Sequence, residues 1–346
     1  MKKNLTIKDI AELANVSIAT VSRVLNNNSW VSDKTRAKVQ KVIDDHQFSP
    51  NLMARSMISR KSMTLAVVVS DITNPYFATL VEQIEKACLQ AGYKIILFDT
   101  QSANKRSSSS QVIAEDQIFS TIIDSQLDGV IILGGNIDYL KIPESYLEGL
   151  QKLIASLPVL VVGRKLARYA YTCLERDQVN CVQMVTRHLL DKGYREMAFI
   201  GGSSNVYMTG QRVNAFLQTL NAAGIESDSA VIIESNFYPE HGYEAALHLL
   251  KSERPLPQAI LAINDRVAMG AIRALKDNGL SVPDDVAVAS CEYFPGSEYF
   301  IPRITTVNHK NDLIGQQVIR QMMTLLQDML PENHAITPIL ITAESA

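Results

Sequence analysis

The 346-residue chain has no uninterrupted apolar stretch near the ~18 residues that a membrane span requires. Its opening MKKNLTIKD has two lysines with no apolar run behind them, so no secretory signal is expected and the protein is assigned to the cytoplasm. Cysteine is scarce: Cys88, Cys173, Cys181 and Cys291 are scattered without a C-x-x-C pair. Small buried thiols are therefore expected, and neither disulfides nor a metal site. The six histidines (His46, His188, His241, His248, His309, His334) lack metal-ligand spacing, and most of them are read as exposed helix or loop residues. G-x-S-x-G, G-x-x-x-x-G-K-[ST] and G-x-G-x-x-G are all missing. These absences argue against an enzyme, and no cofactor is expected.

The composition is that of an ordinary globular protein, 47% hydrophobic and 20% charged, with room for two or three domains. The formal charge of -3 is unevenly spread. Residues 1–61 hold 11 Lys+Arg against 5 Asp+Glu, a net of +6, which leaves -9 for the remainder. A small basic head on an acidic body suits polyanion binding by the head alone.

Within the head, TIKDIAELANVSIATVSRVLN (residues 6–26) reads as two short helices and a tight turn. Thr6 and Asp9 form a T-x-x-D capping pattern, followed by Ile7, Ile10, Ala11 and Ala14 at helical spacing. Asn15 tolerates the left-handed backbone of a sharp turn, and Ser17 is a good N-cap for the second helix. There Val21, Val24 and Leu25 face a core, leaving Ile18, Ala19, Ser22, Arg23 and Asn26 outside. A third helix is expected from Ser32, with Val39, Val42 and Ile43 as its apolar stripe. A small residue at 11, a turn residue at 15 and a core aliphatic at 21 is the spacing of a helix-turn-helix that lays its second helix in a DNA major groove.

The strings TIKDIAELANVS, ATVSRVLN, VSDKTRAKV and FSPNLMAR resemble the DNA-binding head of the LacI/GalR (lactose-repressor type) family of transcriptional regulators. The resemblance, with the body, covers nearly the whole chain. It implies that Ile18 and Ala19 set operator preference through thymine methyls and shape. Arg23 then reads base edges, and Thr6, Ser17, Thr20, Ser22, Asn26, Ser32 and Thr35 contact phosphates. Asn15 stands where the family usually has glycine. Pro50 stops the third helix, and Asn51 to Met57 span under two turns of helix, unstable alone in water. In the family this segment folds on DNA and wedges an aliphatic side chain into the minor groove. Asn51, Ala54 and Met57 are the corresponding DNA contacts here, with Met57 in place of the usual leucine.

From Met63 onward short aliphatic runs alternate with amphipathic stretches: TLAVVVS, YKIILFD, GVIIL, PVLVV, EMAFIGG, QAILAIN and DVAVAS. Unalternating strands buried on both faces and joined by helices imply parallel α/β layers, too many for one sheet of common size. The expected organisation is an all-α helix-turn-helix head (1–47), a hinge helix or linker (48–61), and a two-lobed α/β body (62–346) with a cleft between lobes. The resemblance makes that body periplasmic-binding-protein-like. Its first lobe is expected near 62–162 plus about 292–326, and its second near 163–291 plus the last strand. The polar run Ser102 to Ser110 reads as a loop.

Ligands bind at the carboxyl ends of parallel strands. The residues just past each run are therefore the effector candidates: Ser70, Asp71, Arg164, Asn264, Asp265 and Glu292. The resemblance adds Tyr76 and Phe77, in an NPYF that matches the family's cleft-lining N-P-F-F. It also adds Arg212 as the arginine that holds ligand hydroxyls or carboxylates, and Phe237 as a stacking aromatic. Aromatic faces with bidentate polar groups suit a sugar. Arg164 and Arg212 together would tolerate a sugar phosphate. Two departures from the family stand out: Ser290-Cys291-Glu292-Tyr293 replaces a G-[YF]-D-D type motif, and Gly163 replaces an aspartate.

The resulting expectation is a repressor of sugar-uptake or sugar-catabolic genes, controlled by a sugar or sugar phosphate in the cleft. Lacking a leucine heptad tail, it would be a homodimer on a pseudo-palindromic double-stranded operator. The alternatives are a co-repressor ligand of purine/nucleoside or sugar-phosphate type and, far behind, an enzyme using the cleft. A free sugar-binding protein does not fit the basic head.

Overall fold

The computed structural model describes residues 5–25, 30–46, 48, 61–102 and 115–346. Asn26, the hinge residues Asn51, Ala54 and Met57, and positions 103–110 of the polar run lie outside these. The chain divides into two compact units, Met1–Thr64 with Gln126–Asp128, and Leu65–Ser125 with Gly129–Ala346.

The first unit contains α1 (Ile7–Leu13), α2 (Ile18–Leu25) and α3 (Asp33–Asp45). Ile10, Ala11, Ala14, Val21, Val24, Val39 and Ile43 form its core, with Leu25 and Val42 packed at the margin. The apolar periodicity thus falls where it was expected. Near the end of this unit the Asp128 carboxylate accepts from the Ser62 N–H (2.6 Å) and Oγ (2.8 Å), and from the Met63 N–H (2.9 Å).

In the second unit one parallel sheet has the order β2-β1-β3-β4-β5. Its strands are β1 (Thr64–Val69), β2 (Lys94–Asp99), β3 (Gly129–Leu133), β4 (Val159–Val162) and β5 (Thr172–Leu174), flanked by α4 (Pro75–Gln90), α5 (Glu115–Asp124) and α6 (Glu144–Ser156). The second lobe adds α7 (Gln178–Asp191), β6 (Met197–Ile200), α8 (Tyr207–Ala222), β7 (Val231–Ile233), α9 (Pro239–Lys251), β8 (Ala259–Ala262), α10 (Asp265–Asp277) and β9 (Ala287–Ser290). Its parallel sheet runs β7-β6-β8-β9. The chain closes with β10 (Thr306–Asn308), α11 (Asn311–Leu325) and β11 (Ile339–Ile341), the two strands pairing antiparallel.

The lobe boundaries need correction in two places. β5 lies past residue 162 yet pairs with β4 in the first sheet, Leu160 opposite Thr172. Ile304 and Val307 pack into the second-lobe core, whereas Ile314, Val318, Ile319 and Met322 of α11 pack into the first. β5, β7 and β10 have three residues each, too few for a periodic signal. β2 departs from the expectation of burial on both faces: Ile96 is 43% and Leu97 39% exposed, because the strand sits at the sheet edge.

α9 and α10 touch backbone to backbone. A Cβ on Gly242 would meet the Val267 carbonyl oxygen at 2.0 Å, and one on Gly270 the Pro239 carbonyl oxygen at 1.8 Å. Glycine is needed at both for this closeness, which holds the α9–α10 pair against the second sheet.

Candidate functional site

In the head, Thr6 and Asp9 close a capping box: the Thr6 N–H reaches Asp9 Oδ2 at 2.6 Å and the Asp9 N–H reaches Thr6 Oγ1 at 3.3 Å. Asn15 takes φ 47°, the left-handed turn expected of it. Ser17 Oγ accepts from the Thr20 N–H at 3.1 Å, and Ser32 Oγ from the Thr35 N–H at 3.4 Å. The hydroxyls of Thr6, Ser17 and Ser32 therefore cap three helix N-termini, ends that favour anions, while staying exposed. On α2 Val21 and Val24 are buried, Ile18 is 46% exposed, Ala19 and Arg23 are exposed, and Thr20 and Ser22 are half-buried. One face of this short helix is thus anchored and the other presents methyl groups and one guanidinium.

In the body a cleft opens where the strands of both lobes end at their carboxyl termini. Ser70, Tyr76, Phe77, Arg164, Phe237, Asn264 and Glu292 line it as the sequence implies. Tyr76 and Phe77 stand with ring centroids 4.8 Å apart. Asn264 also caps α10, accepting from the Val267 N–H at 2.9 Å.

Three candidates stand one layer back and do not line the cleft. Asp71 accepts from Thr73 Oγ1 at 2.6 Å and from the Tyr238 hydroxyl across the lobes. Asp265 accepts from Ser290 Oγ and from the Phe294 N–H at 3.0 Å. Arg212 is wholly buried: Nε donates to Gln178 Oε1 (2.8 Å), Nη1 to the Ile263 carbonyl (2.5 Å) and Nη2 to Glu292 Oε2 (3.0 Å). The reason is common to all three. A buried ionised group must be paired, and these meet protein partners before they meet the cavity.

The structure also brings in residues that the strand-end rule missed. Arg176 follows the three-residue β5. Its Nη1 reaches Glu292 Oε1 at 2.5 Å and its guanidinium lies 4.1 Å from the Tyr76 ring centroid. Burial alone would raise the Glu292 carboxyl, but the Arg176 and Arg212 charges overcome it and hold Glu292 far below the usual carboxylate range. Asp138, on the turn after β3, lines the cleft too. Burial pushes its carboxyl up to about 6, although the Arg176 charge and the Arg164 N–H act against the rise. Across the cleft mouth Arg164 lies 4.6 Å from the Tyr207 ring centroid and donates to the Tyr139 carbonyl at 3.0 Å. Tyr139 forms an antiparallel bridge with Val206 of the other lobe. His309, unlike the exposed position expected of most of the histidines, is buried behind this network. Its Nδ1 lies 3.4 Å from Cys181 Sγ, and burial with the Arg176 charge lowers it to about 3.

Comparison with known proteins decides the family. Residues 6–51 match the family described as bacterial regulatory proteins, lacI family, and residues 186–345 match the periplasmic binding protein-like domain. The HTH-type transcriptional regulator DegA of Bacillus subtilis is 31% identical over 303 residues, covering 87% of this chain and 86% of that protein. The chain belongs to the lacI family. This lacI-family chain is a DNA-binding transcriptional regulator with a ligand-binding body. It is also similar to the HTH-type transcriptional repressor PurR of Mannheimia succiniciproducens, 28% identical over 98% of both chains. In fold it is similar to a lac repressor dimer bound to operator and the anti-inducer ONPF, with TM-score 0.84, 23% identity and 99% of both chains covered. A transcriptional regulator CelR–cellobiose complex matches with TM-score 0.70 and 25% identity, over 99% of this chain and 100% of that one.

Proposed function

We propose that this lacI-family chain is a dimeric repressor whose α2 reads a pseudo-palindromic operator, and whose cleft binds a small carbohydrate that changes operator affinity. The carrying observation is the pairing, on one chain, of an exposed Ile18/Ala19/Arg23 helix face with a cleft walled by aromatics from both lobes. Arg23 is the base-reading group, and Ile18 and Ala19 meet thymine methyls. Thr6, Ser17, Thr20, Ser22, Asn26, Ser32 and Thr35 hold phosphates, and Asn51, Ala54 and Met57 act over the minor groove. The cleft residues Ser70, Tyr76, Phe77, Arg164, Phe237, Asn264 and Glu292 contact the effector, while Asp71, Arg212 and Asp265 support them.

Dimerisation covers the exposed Ile96 and Leu97 edge of β2, an unpaired apolar edge that would otherwise invite non-specific pairing. The chain works in the cytoplasm, where its DNA is, and catalyses no reaction. Ligand binding alters the lobe angle and so the spacing of the two heads.

A purine- or nucleoside-type co-repressor is the second reading. The observation that favours it is the same aromatic wall, which would stack on a base as readily as on a sugar ring. The test is fluorescence anisotropy of a labelled palindromic operator with the full chain, repeated with a panel of sugars and hypoxanthine. Affinity that drops with a sugar supports the first reading, and affinity that rises with hypoxanthine the second. Equal binding to operator and random DNA would sink both.

A further inference from the structure

We propose that Asp138 sets the charge of the ligand this cleft accepts: it makes the site take an uncharged, hydroxyl-bearing molecule and refuse a phosphorylated one. The inference rests on the reading of the cleft as the effector site.

The geometry makes room for this carboxylate. Asp138 sits on the turn after β3 and reaches into the cleft between two glycines. A Cβ on Gly163 would stand 3.0 Å from Asp138 Oδ1, and one on Gly134 would stand 3.2 Å from Oδ2. A side chain at 163 would compete for the space that the Asp138 carboxylate occupies.

The surrounding charges give the sign. Among the described residues, the cleft wall has two arginines, Arg164 and Arg176, and three carboxylates, Asp138, Glu175 and Glu292. Arg176 is bound to Glu292, and Arg164 is held by the Tyr139 carbonyl and the Tyr207 ring. Arg212, the cation that would have held an anion, spends Nε, Nη1 and Nη2 on protein acceptors behind the wall. A phosphate entering here meets a field already balanced or negative, at a depth where water screens little. An ionised carboxylate can only accept, so a ligand hydroxyl or N–H is its natural partner. Bonds to a charged acceptor are about twice as strong as neutral ones.

The experiment compares the full-length protein with Asp138→Asn and, as a second variant, Asp138→Ser, each checked for folding by circular dichroism. Binding of inorganic phosphate and glucose 6-phosphate is measured by calorimetry beside glucose, ribose and cellobiose. The expected result is phosphate and glucose 6-phosphate binding below the detection limit of calorimetry for the wild type, and detectable binding by both variants, at least about tenfold tighter than that limit, as one negative charge leaves the wall. Any uncharged sugar that binds the wild type loses at least about tenfold in Asp138→Ser, which cannot present a charged acceptor. Phosphate binding by the wild type, or no gain in either variant, overturns the proposal even if no uncharged sugar binds. Operator anisotropy on the same wild-type sample tests the regulator reading separately, because it does not involve Asp138.

Discussion

Arg212 Nη2 stands 3.0 Å from Glu292 Oε2, with both side chains shut away from solvent, and the other Glu292 oxygen is taken by Arg176. One carboxylate thus bridges two guanidiniums at the junction of the lobes. Removing one partner from a buried pair costs on the order of 3–5 kcal/mol, since the remaining charge is left uncompensated. Arg212→Ala is expected to lower body stability by that order in urea unfolding and to abolish the ligand response. A normal dose-response in a folded Arg212→Ala protein would show that the network does not serve the cleft.

The same pair has a pH signature. Glu292 is depressed in the folded state, so its contribution is present above the unfolded carboxylate pKa of about 4.3 and is lost as pH falls through the much lower folded value. Glu292→Gln should therefore be less stable than the wild type at pH 7, with the gap closing only in strong acid. Urea midpoints across pH 2 to 7, about the usual carboxylate range, would measure it.

Glu115 has the opposite sign. Burial raises its carboxyl to about 7, against hydrogen bonds from Ser102 and the Asn136 N–H. A raised carboxylate stabilises the fold fully below its unfolded pKa and loses that contribution as pH climbs through the folded value. Glu115→Gln, which can still accept from Asn136, should be more stable than the wild type at about pH 8 and no more stable near pH 4. Parallel thermal melts at the two pH values decide it.

Arg23→Ala should lose about 1–3 kcal/mol of preference for operator over random DNA while leaving calorimetric ligand binding unchanged. Preserved operator preference would mean that another residue of α2 does the reading.

Gly270→Ala places a methyl group where the Pro239 carbonyl oxygen lies 1.8 Å from the ideal Cβ. Separating α9 from α10 should cost about 1–3 kcal/mol or more in urea unfolding. A neutral outcome would mean that the α9–α10 contact is looser than drawn.

Much of this was legible in the sequence because it depends on neighbours along the chain. Capping by Thr6, Ser17 and Ser32, the Asn15 turn, and the β1, β3, β4, β6, β8 and β9 runs follow from local pattern, and local pattern located them. The family resemblance rested on the same strings. β5, β7 and β10 were missed because three residues form a strand only when an existing sheet edge is there to receive them.

The division is sharpest in the cleft. The sequence pointed to Arg164 from its place at a strand end, and the family resemblance pointed to Tyr76, Phe77 and Phe237; all four line one cleft. Only the tertiary structure decided that Arg212 turns inward to Glu292, that Arg176 takes a place on the wall, and that Asp138 occupies the space left by Gly163. Those outcomes depend on which opposite charges meet within a buried volume. That is set by the packing of segments far apart in the chain, 116 residues for Arg176 and Glu292 and 80 for Arg212 and Glu292, and no local pattern encodes it.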